Sequence, residues 1–148
     1  MNKDNARLTI INESDAFGEE RLELITDGAY FQKNGTTYIM YDENKEMGMP
    51  NCSVTIKYDG KDVLITRKGD FSSRMYYRPG KATEFLYQMP YGSIPVIIYT
   101  KKVNASLDSN GGSLNLYYTV NMQNSDFEYS LEVSVERKTE NTYGGLSV

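Results

Sequence analysis

The chain has 148 residues, of which 39% are apolar and 18 are aromatic (13 Tyr, 5 Phe), enough for one domain built around one core. Its 16 basic and 20 acidic residues leave a net charge of -4, which argues against duplex nucleic acid as a partner. It contains no histidine and a single cysteine, Cys52. That removes the usual general base near neutral pH, the commonest metal ligand, any Ser-His or Cys-His nucleophile pair and any intramolecular disulfide.

Met1-Asn2-Lys3-Asp4-Asn5 offers no apolar stretch for an export machinery to read. The longest apolar run, Ile94 to Tyr99, is far short of the roughly 20 residues that a helix needs to cross a bilayer. These features lead to the expectation of a soluble cytoplasmic protein with no membrane partner.

Leu8 and Ile10 share a face of a first strand, which ends at Asp15-Ala16-Phe17-Gly18. A long second strand starts with Leu22 and Leu24 and runs to Lys33, with a bulge or bend expected at Gly28. Asn34-Gly35 suits a type I′ turn, returning the chain through Thr37 to Glu43. Residues 44 to 51 have no periodicity and read as a loop. Val54, Ile56 and Tyr58, then Asp59-Gly60, then Val63, Ile65 and Arg67 make the clearest hairpin. After Lys68-Gly69-Asp70, Met75-Tyr76-Tyr77 leads to Arg78-Pro79-Gly80-Lys81, whose proline and glycine fit a type II turn.

Phe85, Tyr87 and Met89 follow on one face, and Pro90-Tyr91-Gly92 interrupts. Residues 94 to 103 begin apolar on both faces, as in a strand covered on both sides or at a barrel seam. Asn110-Gly111 marks the next reversal. Leu114, Leu116, Tyr118, Val120 and Met122 then alternate with polar residues, and Phe127, Tyr129, Leu131, Val133 and Val135 do the same. Residues 137 to 148 read as a frayed tail. The whole is one all-β domain over 1–148, with its ordered core at about residues 6 to 137. It forms an antiparallel up-and-down barrel of eight to ten strands, because closure removes exposed edges and encloses the apolar face. An open two-sheet sandwich is the alternative.

The succession Thr26-Asp27-Gly28, Tyr41-Asp42-Glu43, Arg67-Lys68-Gly69, Pro90-Tyr91-Gly92, Thr100 and the closing alternating strands resembles the YwiB-like family over about residues 6 to 137. These are small bacterial proteins with a domain of unknown function. The resemblance implies a calycin-like, lipocalin-type β-barrel in a bacterial cytoplasm and carries no established activity. Calycin relatives that bind small hydrophobic ligands supply an analogy for function.

Arg67 shares parity with Val63 and Ile65, so its guanidinium falls on the face to be buried and needs a partner. Glu43 shares parity with Ile39 and Tyr41, and both Arg67 and Glu43 lie at strand ends, so an Arg67–Glu43 pair at the barrel mouth is expected. It is either a structural ion pair or a ligand anchor. Asp42 points away from Glu43 and cannot pair with it in acid-base work. The inward tyrosines Tyr58, Tyr77, Tyr87, Tyr118 and Tyr129 either line a pocket or fill it. With Tyr41 and Thr100 added, the candidate ligand-binding set is Arg67, Glu43, Tyr41, Tyr87, Tyr118 and Thr100.

Cys52 reads as a small core-filling residue. The run from Arg67 to Lys81 clusters Arg67, Lys68, Arg74, Arg78 and Lys81 with Phe71, Tyr76 and Tyr77. Its alternatives are solvated edge charges or a stacking site for single-stranded RNA or a phosphorylated ligand. The leading expectation is a non-enzymatic barrel, without cofactor or metal, that binds a small, partly apolar ligand in or at its mouth. The alternative is a plugged barrel whose outside mediates protein interaction or self-assembly, a homodimer being the simplest case.

Overall fold

The computed structural model describes residues 4–15, 20–45 and 50–138. The described chain forms ten strands: β1 (Ala6–Ser14), β2 (Glu20–Lys33), β3 (Thr36–Glu43), β4 (Cys52–Tyr58), β5 (Val63–Gly69), β6 (Ser73–Tyr77), β7 (Lys81–Met89), β8 (Gly92–Asp108), β9 (Gly111–Met122) and β10 (Ser125–Arg137). The sheet order is β6-β5-β4-β3-β2-β1-β10-β9-β8-β7, every pair antiparallel. Pairing of β1 with β10, with Leu8 opposite Val135 and Ile10 opposite Val133, joins the two ends of the chain. Curling then brings β6 against β7, so the sheet is a nearly closed up-and-down barrel.

The β6–β7 seam is thin. Among the described residues it consists of the Ser72–Gln88 bridge, in which Gln88 N donates to Ser72 O at 3.3 Å, and the Thr83 hydroxyl donating to Tyr76 O at 2.6 Å. Consecutive strands everywhere else share full ladders. The weak closure therefore falls inside the chain, at the Pro79-Gly80 turn, and not between the first and last strands.

The turns follow the sequence with two corrections. Asn34 and Gly35 take φ +53° and +82°, and Lys81 N donates to Arg78 O at 3.0 Å across Pro79-Gly80, with Gly80 at φ +76°. The reversal assigned to Asn110-Gly111 is instead centred on Ser109-Asn110, held by Asn110 N donating to Asp108 Oδ1, and Gly111 already opens β9. Gln123 and Asn124, at φ +53° and +67°, build a left-handed turn that the sequence reading passed over.

Gly28 introduces no register shift against β1. It sits where β3 peels away from β2, and a Cβ there would collide with the Met40 carbonyl oxygen and, at 2.6 Å, with Leu8 Cδ1. The irregularity lies in β8, where a bulge at Lys101 shifts the register between Thr100 and Lys102. Ile94, Val96 and Ile98 face inward before it, Val103 and Leu107 after it. This parity switch explains why Val103 and Leu107, at odd positions, face inward. The expected cover on both sides is not found: Ile97 and Tyr99 are exposed on the outer wall.

The core is continuous through the barrel interior. At one end Leu8, Tyr30, Ile39, Ile56, Val63, Leu114 and Val133 are almost completely buried, and the Tyr30 hydroxyl donates to Asp108 O at 2.5 Å. No helix among the described residues is long and apolar enough to cross a membrane. The tail read as frayed lies, from residue 139, outside the described residues.

Candidate functional site

The opposite end of the barrel is built differently. Alternation carries Tyr41 and Glu43 of β3, Cys52 of β4, Arg67 of β5, Ser73 of β6 and Tyr87 of β7 inward, and antiparallel pairing gathers these strand ends at one mouth. Arg67 donates from Nε to Glu43 Oε1 at 3.5 Å, the pair expected from parity. The Glu43 side chain is 10% exposed and that of Arg67 26%, so the pair is sheltered but reachable.

Tyrosines surround it. Burial pushes the Tyr41 phenol up, against the opposing pull of Arg67. Burial likewise pushes Tyr77 up to about 12, raises Tyr118 well above the ordinary phenol range and raises Tyr87. For Arg67, burial works against the charge, but Tyr41 and Glu43 more than offset it, and the guanidinium stays charged. The Tyr77 hydroxyl donates to Met75 Sδ at 3.6 Å. Tyr77 and Tyr118 meet edge to face at 4.8 Å between ring centres, and Tyr118 stacks on Tyr129 at 5.5 Å.

Of the six residues singled out, Arg67 and Glu43 touch, and Tyr41, Tyr87 and Tyr118 all feel the Arg67 charge. Thr100 is fully buried, directly opposite Tyr118 in the ladder. Three further residues belong here. Tyr77 was read as inward but left outside the set. Ser73, directly opposite Arg67, follows from the same parity as Met75 and Tyr77. Phe71 stacks on Tyr87 at 5.8 Å, a contact that joins the β5–β6 connection to β7 and has no local sequence signal. Cys52 is buried, with its thiol 3.6 Å from Phe71 O, as a core filler should be.

The basic and aromatic run does not act as one surface. Arg67 and Tyr77 point inward, while Arg74 and Arg78 lie outside over the Tyr76 ring, with Arg78 4.4 Å from its centre. Arg78 also pairs with Asp62 at 3.4 Å beside a small outer cleft of about 230 Å³ that includes Tyr38, Lys57 and Tyr76. A larger open groove of about 750 Å³ beside the mouth is lined by Glu13, Arg21, Lys101 and Glu128, whose charges are mutually paired.

A model of the family described as "Domain of unknown function (DUF1934)" matches residues 8–136. The chain is 25% identical over 104 residues to the uncharacterized beta-barrel protein YwiB of Bacillus subtilis (strain 168), covering 70% of this chain and 72% of that protein. The crystal structure of the ywiB protein from Bacillus subtilis matches with a TM-score of 0.77 at 20% identity, over 93% of this chain and 94% of that one. At that identity the likeness concerns the fold alone.

Proposed function

The chain belongs to the DUF1934 family of unknown function and shares its β-barrel, and from that footing we propose that it binds a small, partly apolar molecule at the barrel mouth without catalysing a reaction on it. The observation that carries this reading is the Arg67–Glu43 pair. A charged guanidinium is held inside a largely apolar barrel, in partial contact with solvent, among half-buried apolar side chains including Phe85, Tyr87, Ile94 and Met122. A purely structural role is served as well or better by packed hydrophobic residues, because desolvating an ion pair offsets much of its attraction. Arg67 and Glu43 are the polar anchors, Tyr41, Tyr87 and Tyr118 the walls, and Thr100 the fully buried contact. The absence of histidine from the sequence favours binding over acid-base chemistry. The reading places the protein in the bacterial cytoplasm, with a calycin-like barrel and no duplex nucleic acid or membrane as partner.

A second reading, self-assembly through the outer wall, is favoured by Leu86, Ile97 and Tyr99, which lie exposed on the neighbouring strands β7 and β8. Native mass spectrometry of protein purified from its own host tests both. Ligand binding predicts an adduct that is lost on denaturation, and self-assembly predicts twice the chain mass. A bare monomer of 16.9 kDa contradicts both.

A further inference from the structure

The mouth gathers polar groups whose hydrogen-bonding capacity the chain itself leaves unused. Arg67 gives its Nε–H to Glu43, but among the described residues the N–H groups of its two terminal nitrogens meet no protein acceptor. A guanidinium has no acceptor capacity, so those groups need oxygen from elsewhere. Ser73, opposite Arg67 in the ladder, is 6% exposed, and Thr100 is 0% exposed. Both hydroxyl oxygens are buried without a partner. Buried hydroxyls normally find one. Tyr77 does not help, since its hydroxyl donates to Met75 Sδ and its ring packs edge to face on Tyr118. Among the described residues Glu43 is the one carboxylate that meets Arg67, and it takes only the Nε side of the fork.

Resting on the small-ligand reading, we propose that the ligand's head is an anionic, acceptor-rich group of the carboxylate class. It is received by the terminal nitrogens of Arg67 with the Ser73 hydroxyl beside them, and Thr100 is the fully buried contact. Planar pairing of a guanidinium with a carboxylate uses the fork that a single Nε contact leaves empty. The apolar part of the ligand points outward along Leu24, Ile94 and Met122, which are half-buried, toward Leu22, an inward-parity residue left 57% exposed at the rim. The ligand is thus an amphipathic acid whose charged end enters first.

The test is isothermal titration calorimetry of the full chain with decanoate, decan-1-ol and decylamine, three probes that share a tail and differ in head. Decanoate is expected to bind about tenfold or more tightly than the alcohol, the span of one charge-assisted contact. Arg67→Gln should bring decanoate down to the level of the alcohol and leave the alcohol unchanged. Ser73→Ala and Thr100→Val, small changes on the same wall, should each weaken decanoate severalfold, and they carry the test if Arg67→Gln does not fold. Equal binding of acid and alcohol, insensitive to these variants, overturns the anionic head while leaving the small-ligand reading standing. Preference for the amine overturns it too, and makes Glu43 the anchor. Binding of none of the three by the wild-type chain overturns this inference, whereas the small-ligand reading falls only if the host-purified protein is also bare.

Discussion

The two ends of the barrel use the same alternation for opposite purposes. At the closed end the inward residues are Leu8, Ile39, Val63, Leu114 and Val133 around Tyr30, whose one polar atom is satisfied by Asp108. At the mouth the inward positions hold Arg67, Glu43, Ser73 and a ring of tyrosines, with hydroxyls left unpartnered. Burying an unpaired polar atom costs about 1–3 kcal/mol, so the mouth gives up stability that the closed end supplies. The difference teaches that a period-two pattern fixes which side chains face inward, while the chemistry of those side chains decides whether a layer is filler or site.

Substitutions at the two ends should separate sharply. Leu114→Ala, in the fully buried layer, is expected to lower stability by about 2–5 kcal/mol in a urea titration. Leu22→Ala, at the exposed rim, should change it by less than about 0.5 kcal/mol. Gly112→Ala should cost about 3 kcal/mol: the residue sits at φ +135°, and a Cβ would run into the Ser106 carbonyl of the neighbouring strand. Equal losses for Leu114→Ala and Leu22→Ala would erase the distinction between the ends.

At the mouth, Arg67→Met strands the Glu43 carboxylate and should cost about 2 kcal/mol, whereas Arg67→Met combined with Glu43→Gln should recover most of it. A double variant as unstable as the single one would show that Arg67 acts through packing and not through charge. Tyr30→Phe removes one hydrogen bond from the closed end, for about 1 kcal/mol in the same titration.

Alkaline pH offers a smaller test of the tyrosine ring. Burial lifts Tyr77 to about 12 from the ordinary 10.0 and raises Tyr41 and Tyr118 as well, so the folded state keeps these protons more tightly than the unfolded one. Their contribution is fully present below the unfolded value and is lost as pH climbs from there through the folded values. Stability should therefore decline above about pH 10, and Tyr77→Phe should flatten that decline.

Much of this was legible in the sequence, and the reason is parity. Odd-even sorting located the strands, placed Arg67 and Glu43 on one face and put them within reach of each other. It failed where a backbone event resets the count. The extra residue Lys101 switches the inward face of β8 from even to odd, and apolar character alone did not reveal that Ile97 and Tyr99, before that switch, lie exposed on the outer wall. It also missed contacts between elements that curvature brings together, such as Phe71 on Tyr87 and the thin β6–β7 seam. The Gln123-Asn124 turn was hidden because neither residue is glycine.

Native-state hydrogen exchange resolved by residue tests the division of the barrel most directly. Amides of Leu114, Leu116, Val133 and Val135 should exchange only through global unfolding, while those of Arg74, Tyr76, Leu86 and Gln88, along the seam and mouth, should open locally at far lower free energy. Uniform protection across both sets would contradict the account.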